Sequence, residues 1–273
     1  MGLLFNDAAL AIEPLALGWL VLDITNSPLW VGISAGVAGV GMTLFSPVAG
    51  VLADRYNRKH LLILSLLVQS LAAIILGILL LMDFLQLYHA LLFSFVSGLT
   101  GSVKFSCKMA LTLDLAGRNN LLKGIAANFF SMTIMGVVAP LAGGLILAEL
   151  GMGQAFLLIG ALLLVSLMVV SLLKGIESPQ YRGASHVDDF LEGVRYMFRS
   201  PSVRLLILAV MVSETFGWAV ESMLPVIARD ELSLGPEGFS YLMSAGALGA
   251  AVTTVTISVV PNIENKGKLV LLG

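Results

Sequence analysis

The chain has 273 residues, of which 58% are hydrophobic and 12% charged, with a formal net charge of −2 and a mean hydropathy of +0.97. Soluble domains carry roughly 25% charged residues, so this composition excludes an ordinary soluble protein, and the small net charge gives no reason to expect a nucleic-acid partner. A single cysteine, Cys107, excludes an internal disulfide, and three scattered histidines do not indicate a metal site.

Apolar runs long enough to cross a bilayer, about 20 residues each, follow one another along the chain. Taken in order, eight predicted spans cover about residues 2–24, 29–52, 60–82, 87–109, 124–148, 153–173, 202–227 and 237–260. Another apolar run starts after residue 268 and reaches the last residue. The pattern predicts an all-α integral membrane protein, and we expect the sequence to be a fragment or a truncated product of a larger helical bundle.

Basic residues set the expected orientation, because Lys and Arg collect on the cytoplasmic side of membrane proteins. If the loop at 53–60 is cytoplasmic, 14 of the 15 basic residues fall on that side, and only Arg229 lies outside. The N-terminus is then cytoplasmic. We expect a multi-pass protein of a bacterial or archaeal cell membrane.

The longest connection, residues 174–201, has apolar residues at helical spacing with charged residues between them. Ser185 and Asp188 fit a capping box at its start. The pattern predicts a helix at the membrane interface, with a regulatory docking site as the alternative. It divides the chain into a six-helix bundle (1–173), a cytoplasmic linker (174–201) and the incomplete beginning of a second bundle (202–273).

The two bundles begin alike. An offset of 208 residues (236 − 28) pairs Pro28 with Pro236 and Glu13 with Glu221. Each half starts with a helix that carries a carboxylate in mid-membrane, followed by a turn proline and a Gly/Ala-rich helix. Six helices separate the copies, so both run in the same direction, which is one transporter architecture.

The stretch "GVLADRYNRK" resembles the loop signature of the major facilitator superfamily, Gly-x-x-x-Asp-Arg-x-Gly-Arg-Arg/Lys. The matching residues are Gly50, Asp54, Arg55, Arg58 and Lys59. Asn57 stands where the family has glycine, and since Asn tolerates a left-handed backbone, we expect the turn to be kept.

A second stretch, "GVVAPLAGG", resembles the fifth-helix motif of the exporters in that family. Its small face predicts a helix seam and consists of Gly136, Pro140, Gly143 and Gly144, with Ala139 in place of a glycine. The segments 17–33 and 108–115 further resemble the bacterial branch that exports siderophores, macrolides and other lipophilic molecules.

The resemblance implies a twelve-helix bundle, of which about eight helices are present, and gives the charged loop a gating role. Asp54 and Arg58 would hold helix ends together in one state and release them in another. Asp114 is a possible mate for Arg55 or Arg58. The alternative is that basic loop residues only fix topology, which we favour for Lys59.

Charges within a span are costly and usually face a cavity or a partner. Asn6 and Glu13 share a face of the first helix, as Glu214, Trp218 and Glu221 do on the seventh. In the family these helices line the central cavity. The three glutamates are therefore candidates for proton carriage and substrate contact. Alternatively, the glutamates pair with basic groups such as Lys104. Trp218 either stacks on a substrate or packs against neighbouring side chains.

On the fourth helix, Lys104 is ambiguous between cavity and structural roles. Lys108, one turn further on, is expected to extend to the interface.

The sequence thus predicts a secondary active transporter for proton-coupled efflux of a small lipophilic or amphipathic molecule. The alternatives are an uptake symporter of the same fold and a non-transporting membrane sensor or scaffold. No nucleotide-binding loop or catalytic constellation occurs in the sequence, so we expect no enzyme and no cofactor, only a proton gradient. The expected partners are a small-molecule substrate and the lipid bilayer, with the protein a monomer.

Overall fold

The computed structural model of the chain describes residues 3–173, 195–196 and 199–259. Its helices, in chain order, are α1 (Leu4–Thr25), α2 (Pro28–Arg55), α3 (Arg58–Leu81), α4 (Leu87–Asp114), α5 (Asn120–Glu149), α6 (Met152–Leu172), α7 (Pro201–Val226) and α8 (Pro236–Val259). Seven segments, corresponding to α1–α7, are long and apolar enough to cross a membrane, and α8 has 24 residues. The predicted all-α membrane fold is confirmed.

The connection between α4 and α5 is shorter than the sequence suggested. Helical structure runs from Leu87 to Glu149 and is interrupted only at Gly117, whose φ is 67° and ψ is 168°. A positive φ combined with a ψ near 180° is essentially confined to glycine, so this residue sets the corner. The predicted connection at 110–123 is therefore mostly helix.

The charged loop between α2 and α3 is a tight corner in which Asn57 caps α3. The expectation of a left-handed backbone at Asn57 is wrong, because its φ is −62° and its ψ is 113°. Its side-chain oxygen accepts hydrogen bonds from the backbone N–H groups of Lys59 (3.0 Å) and His60 (3.3 Å). Asparagine is among the preferred residues at this position, which explains how it replaces the family's glycine.

Helix α1 lies at the centre of the bundle, where it contacts α2, the α4–α5 segment, α6, α7 and α8. Leu15 and Leu20 of α1 are fully buried. Around it, hydroxyl groups join neighbouring helices: Ser34 and Ser94 hydrogen-bond at 2.8 Å between α2 and α4. Such bonds and close packing drive helix association in lipid, where burial of apolar surface does not.

The first six helices meet α7 and α8 mainly at the end opposite the α2–α3 corner. Trp19 of α1 stacks on Phe239 of α8, with ring centroids 6.2 Å apart. Arg229 donates to the carbonyl oxygen of Leu22 (3.1 Å) and to Asn26 Oδ1 (3.2 Å). Residues 211–220 of α7, nearer the other end, are all exposed.

Two further sequence predictions concern the linker after α6 and the internal repeat. The interfacial helix with Ser185 and Asp188 lies outside the described residues, so the division into bundle, linker and second bundle stays a prediction. Within the described residues, α2 and α8 begin at Pro28 and Pro236, the prolines that the repeat pairs.

Candidate functional site

Arg58 makes the principal contacts of the charged corner. Its Nη1 lies 2.8 Å from both carboxylate oxygens of Asp114, at the C-terminal end of α4, and its Nε donates to the carbonyl oxygen of Ala53 at 3.0 Å. Asp54 Oδ1 is 3.7 Å from Arg58 Nη2, and the side chain of Asp54 is 51% exposed. Asp114 is therefore paired with Arg58, one of the two mates considered for it. Arg55 lies at the exposed end of α2.

Lys59 does more than add positive charge to this side of the protein. Its Nζ donates to the carbonyl oxygens of Ser171 (2.7 Å) and Leu173 (2.6 Å). These carbonyls belong to the last turn of α6, where helices have unsatisfied acceptors and favour a cation. The corner thus holds both α4, through Arg58, and α6, through Lys59. Gly50, by contrast, has no described atom within 4 Å of its Cβ position.

Glu13 lies inside the bundle, in a polar network between α1, α3 and α4. Gln69 Nε2 of α3 donates to Glu13 Oε2 at 2.6 Å, and Ser97 of α4 donates to Oε1. Glu13 is 6% exposed and Gln69 is 1% exposed. A carboxyl group that is buried at mid-helix needs such partners, because an unpaired charge there costs about 2.5–3.5 kcal/mol or more.

Gln69 also connects Glu13 to a buried cation. Its Oε1 accepts a hydrogen bond from Lys104 Nζ and one from Thr100 Oγ1 at 3.3 Å. The amide therefore presents its donor to the carboxylate and its acceptor to the ammonium. Lys104 is 5% exposed, which places it within the bundle as an electrostatic partner of Glu13 across Gln69.

A second buried ion pair lies nearer the start of α1. Lys108 Nζ is 2.7 Å from Asp7 Oδ1 and 2.9 Å from Oδ2. The expectation that Lys108 extends to the interface is wrong, since its side chain is only 7% exposed and is neutralised by Asp7. Ser131 of α5 donates to Asp7 Oδ2 at 2.5 Å, and Asn6 is buried beside it.

The acidic residues of α7 have different surroundings. Glu214, Trp218 and Glu221 are all exposed. Trp218 Nε1 donates to Glu214 Oε2 at 3.0 Å, which confirms that Glu214 and Trp218 share a face. The described residues place no other helix against this face, and their predicted roles stay predictions.

The small residues of α5 form a close seam with α1 and α8. A Cβ at Gly143 would lie 2.8 Å from Ile12 Cγ2, and one at Gly144 would overlap Ser240. Gly136 faces Ala247 of α8, and Ser244 Oγ donates to the carbonyl oxygen of Val137 at 2.9 Å. Pro140 is buried between them. The motif therefore packs α5 against α1 and α8.

Sequence reasoning missed five polar members of the buried networks: Asp7, Gln69, Ser97, Thr100 and Ser131. A signal was available on α4, where Ser97, Thr100, Lys104 and Lys108 recur at helical spacing and so mark one polar face. Gln69 carries no such signal on its own. Among the described residues, no group of three His, Cys, Asp or Glu side chains could hold a metal ion.

The sequence is similar to those of known proteins. The sequence profile of the Major Facilitator Superfamily matches residues 1–272. Enterobactin exporters of Escherichia coli O139:H28 and Shigella boydii serotype 18 are 28% identical over 250 residues, which are 91% of this chain. The chain spans 59% of the length of these relatives.

A solved structure shows the same fold. It is the crystal structure of a bacterial homolog of the human lysosomal transporter Spinster, in an inward-facing and unoccupied conformation. The TM-score is 0.67 at 16% sequence identity, and the alignment covers 90% of this chain and 60% of the other.

Proposed function

Because the chain belongs to the Major Facilitator Superfamily, we propose that it works as a secondary active transporter rather than as an enzyme, and that it exports a small lipophilic or amphipathic molecule in exchange for protons. The similarity to enterobactin exporters supports export over uptake. A siderophore such as enterobactin is therefore one candidate substrate. The same similarity, together with the basic residues on one side, supports a cell-membrane location with a cytoplasmic N-terminus.

The observation that carries the proposal is the buried network around Glu13. A membrane scaffold has no use for a carboxyl group held among Gln69, Ser97 and Lys104 at mid-helix, where charges are costly. A transporter that exchanges a proton needs such a group. The network supplies hydrogen-bond partners for a carboxyl group in either protonation state, because a serine hydroxyl can both donate and accept.

The packing of the helices supports alternating access. The first six helices meet α7 and α8 at one end through Trp19, Arg229 and Gly144. At the other end, Arg58 and Asp114 bind α3 to α4 at the charged corner. In this proposal, the halves rock about the outer contacts, and the ion pair, which joins two helices of the first half, holds their inner ends together in one state and releases them in the other.

Proton flux in liposomes reconstituted with the full-length protein tests the proposal. The probes are a panel of lipophilic compounds that includes enterobactin, with protein-free liposomes as the control. Exchange predicts that a compound gradient drives protons in the opposite direction. Movement of protons in the same direction as the compound would indicate the uptake symporter instead. Proton flux that does not change with any compound of the panel would favour the sensor or scaffold.

A further inference from the structure

One side of α7 carries a stripe of residues that points toward α1. Its members, at intervals of four, three and four residues, are Glu214, Trp218, Glu221 and Pro225, which is the spacing of a single helix face. At the C-terminal end of the stripe, Pro225 Cγ lies 3.2 Å from the position that a Cβ of Gly18 would occupy. The other three members therefore also point toward α1, and all three are exposed. A cleft thus opens between the two helices beyond their contact.

The opposite wall of this cleft is apolar. Leu10 and Pro14 precede Gly18 by eight and four residues, so they lie on the same side of α1, and both are exposed. Helix α2, which also contacts α7, has no charged residue from 28 to 53. The cleft therefore has one acidic and aromatic wall, on α7, and one apolar wall, on α1 and α2.

The carboxylates of the stripe have no cation of the protein beside them. Within the part of the chain that the structure describes, Glu214 is bonded to the indole of Trp218, and Glu221 has no hydrogen bond or ion pair. The lysines of α4, Lys104 and Lys108, are buried in the first bundle. A carboxylate at membrane depth ordinarily has a partner or faces a cavity. A cation that enters the cleft would be the partner that these two carboxylates lack.

Trp218 adds a surface for stacking between the two carboxylates. Its Nε1 donates to Glu214 Oε2 at 3.0 Å, which orients the ring, and the residue is 64% exposed. The face of a tryptophan attracts cations, and aromatic groups stack on it. From residue 205 to 228 the sequence has no Lys or Arg that would compete for this ring. The stripe therefore combines an aromatic face with two negative charges, one turn to either side.

We propose that this stripe selects the substrate, and that the substrate class is an amphipathic aromatic cation. The positive charge lies between Glu214 and Glu221, and an aromatic ring stacks on Trp218. The apolar part contacts Leu10 and Pro14. An anion of the same shape is rejected, because it would approach two like charges with no compensating cation in the cleft. The inference names the substrate class of the proposed transporter and therefore rests on the proposed function.

Two ions of the same shape test the selection by charge. They are tetraphenylphosphonium and tetraphenylborate, and their binding to the purified full-length protein in lipid nanodiscs is measured by equilibrium dialysis, with protein-free nanodiscs subtracted. The wild type should bind the cation about tenfold more tightly than the anion. Glu214→Gln combined with Glu221→Gln keeps the side-chain size but removes both charges. Cation binding should then weaken by about tenfold, while anion binding persists.

The ring and the total charge are tested separately. Trp218→Leu removes the stacking surface, so it should weaken both ions by about three- to tenfold, and Trp218→Phe should recover most of that loss. Glu231→Gln removes one negative charge at an exposed position just after α7. It should leave both affinities unchanged, because Glu231 lies beyond the stripe.

The outcomes separate this inference from the proposed function. Equal affinities of the wild type for the two ions would overturn it, as would a cation preference that survives in the double variant. Equal loss of both ions in the double variant, or an equal loss of preference in Glu231→Gln, would overturn it too. Binding is measured without a gradient, so none of these results bears on proton exchange. Transport without proton movement would contradict the proposed function but not the selection of cations.

Discussion

Glu13 and Glu221 occupy equivalent places in the predicted repeat, yet their surroundings differ. Glu13 is 6% exposed and is bound by Gln69 and Ser97. Glu221 lies on an exposed face of α7 that the described residues leave without a packed helix. Both residues are glutamates, and the repeat pairs their helices, α1 and α7, and their positions along those helices.

The difference shows what a repeat can establish about a carboxylate. Helical register fixes which face of α1 or α7 a residue occupies, but its partners come from other helices. Glu13 has partners because α3 and α4 bring a glutamine and a serine against α1. The structural case for a proton carrier therefore rests on Glu13, and for Glu221 it rests on the repeat alone.

The largest expected effect distinguishes these two residues directly. Glu13→Gln keeps the size of the side chain but removes the exchangeable proton, so we expect a loss of proton-driven transport of about 100-fold or more. Glu221→Gln should have a smaller effect, and Glu149→Gln, at the exposed end of α5, should have none. The measurement is substrate accumulation in liposomes under an imposed pH gradient.

A stronger loss in Glu221→Gln than in Glu13→Gln would reverse the comparison. It would make the second bundle the site of coupling and leave the Glu13 network with a structural role.

The next prediction concerns the seam that joins the two regions. Gly144→Val would place methyl groups into Ser240 of α8, and overpacking of this kind costs about 1–3 kcal/mol. We expect a lower thermal unfolding midpoint in detergent. Gly39→Val on α2 is the matched control, because no described atom lies within 4 Å of its Cβ position. If both variants unfold alike, the seam does not hold the regions together.

A smaller effect is expected at the charged corner of the first region. Arg58 binds Asp114 at 2.8 Å but Asp54 at 3.7 Å. Partly exposed ion pairs contribute up to about 1 kcal/mol, or about fivefold, so Asp114→Asn should slow initial transport rates by up to that factor. Asp54→Asn should slow them less, and insertion into the membrane should be unchanged in both. A greater effect of Asp54→Asn would place the state-dependent contact outside the Arg58–Asp114 pair.

The sequence alone predicted the features that local residues determine, but not those that depend on packing between distant helices. Long apolar runs and turn residues predicted the helices because span length follows from bilayer thickness. The charged corner was predictable as a motif, but the turn of Asn57 was not, because glycine-like backbone freedom and helix capping are two ways for asparagine to make the same corner. Lys108 was misjudged because an interfacial lysine and a lysine paired with Asp7 have the same local sequence. The partner lies 101 residues away, and only the packing of α1 against α4 reveals it.

The smallest expected effect concerns Lys59, which distinguishes a structural contact from a topology signal. Its ammonium binds the carbonyl oxygens of Ser171 and Leu173 at the end of α6, and a cation there contributes about 0.3–1 kcal/mol. Lys59→Met should therefore increase amide hydrogen exchange in the last turn of α6 by a few-fold, because local opening becomes easier. Lys123→Met removes one positive charge from the same side at an exposed position, so it controls for topology. Equal exchange in the two variants would mean that Lys59 acts through its charge alone, and that the corner holds α4 but not α6.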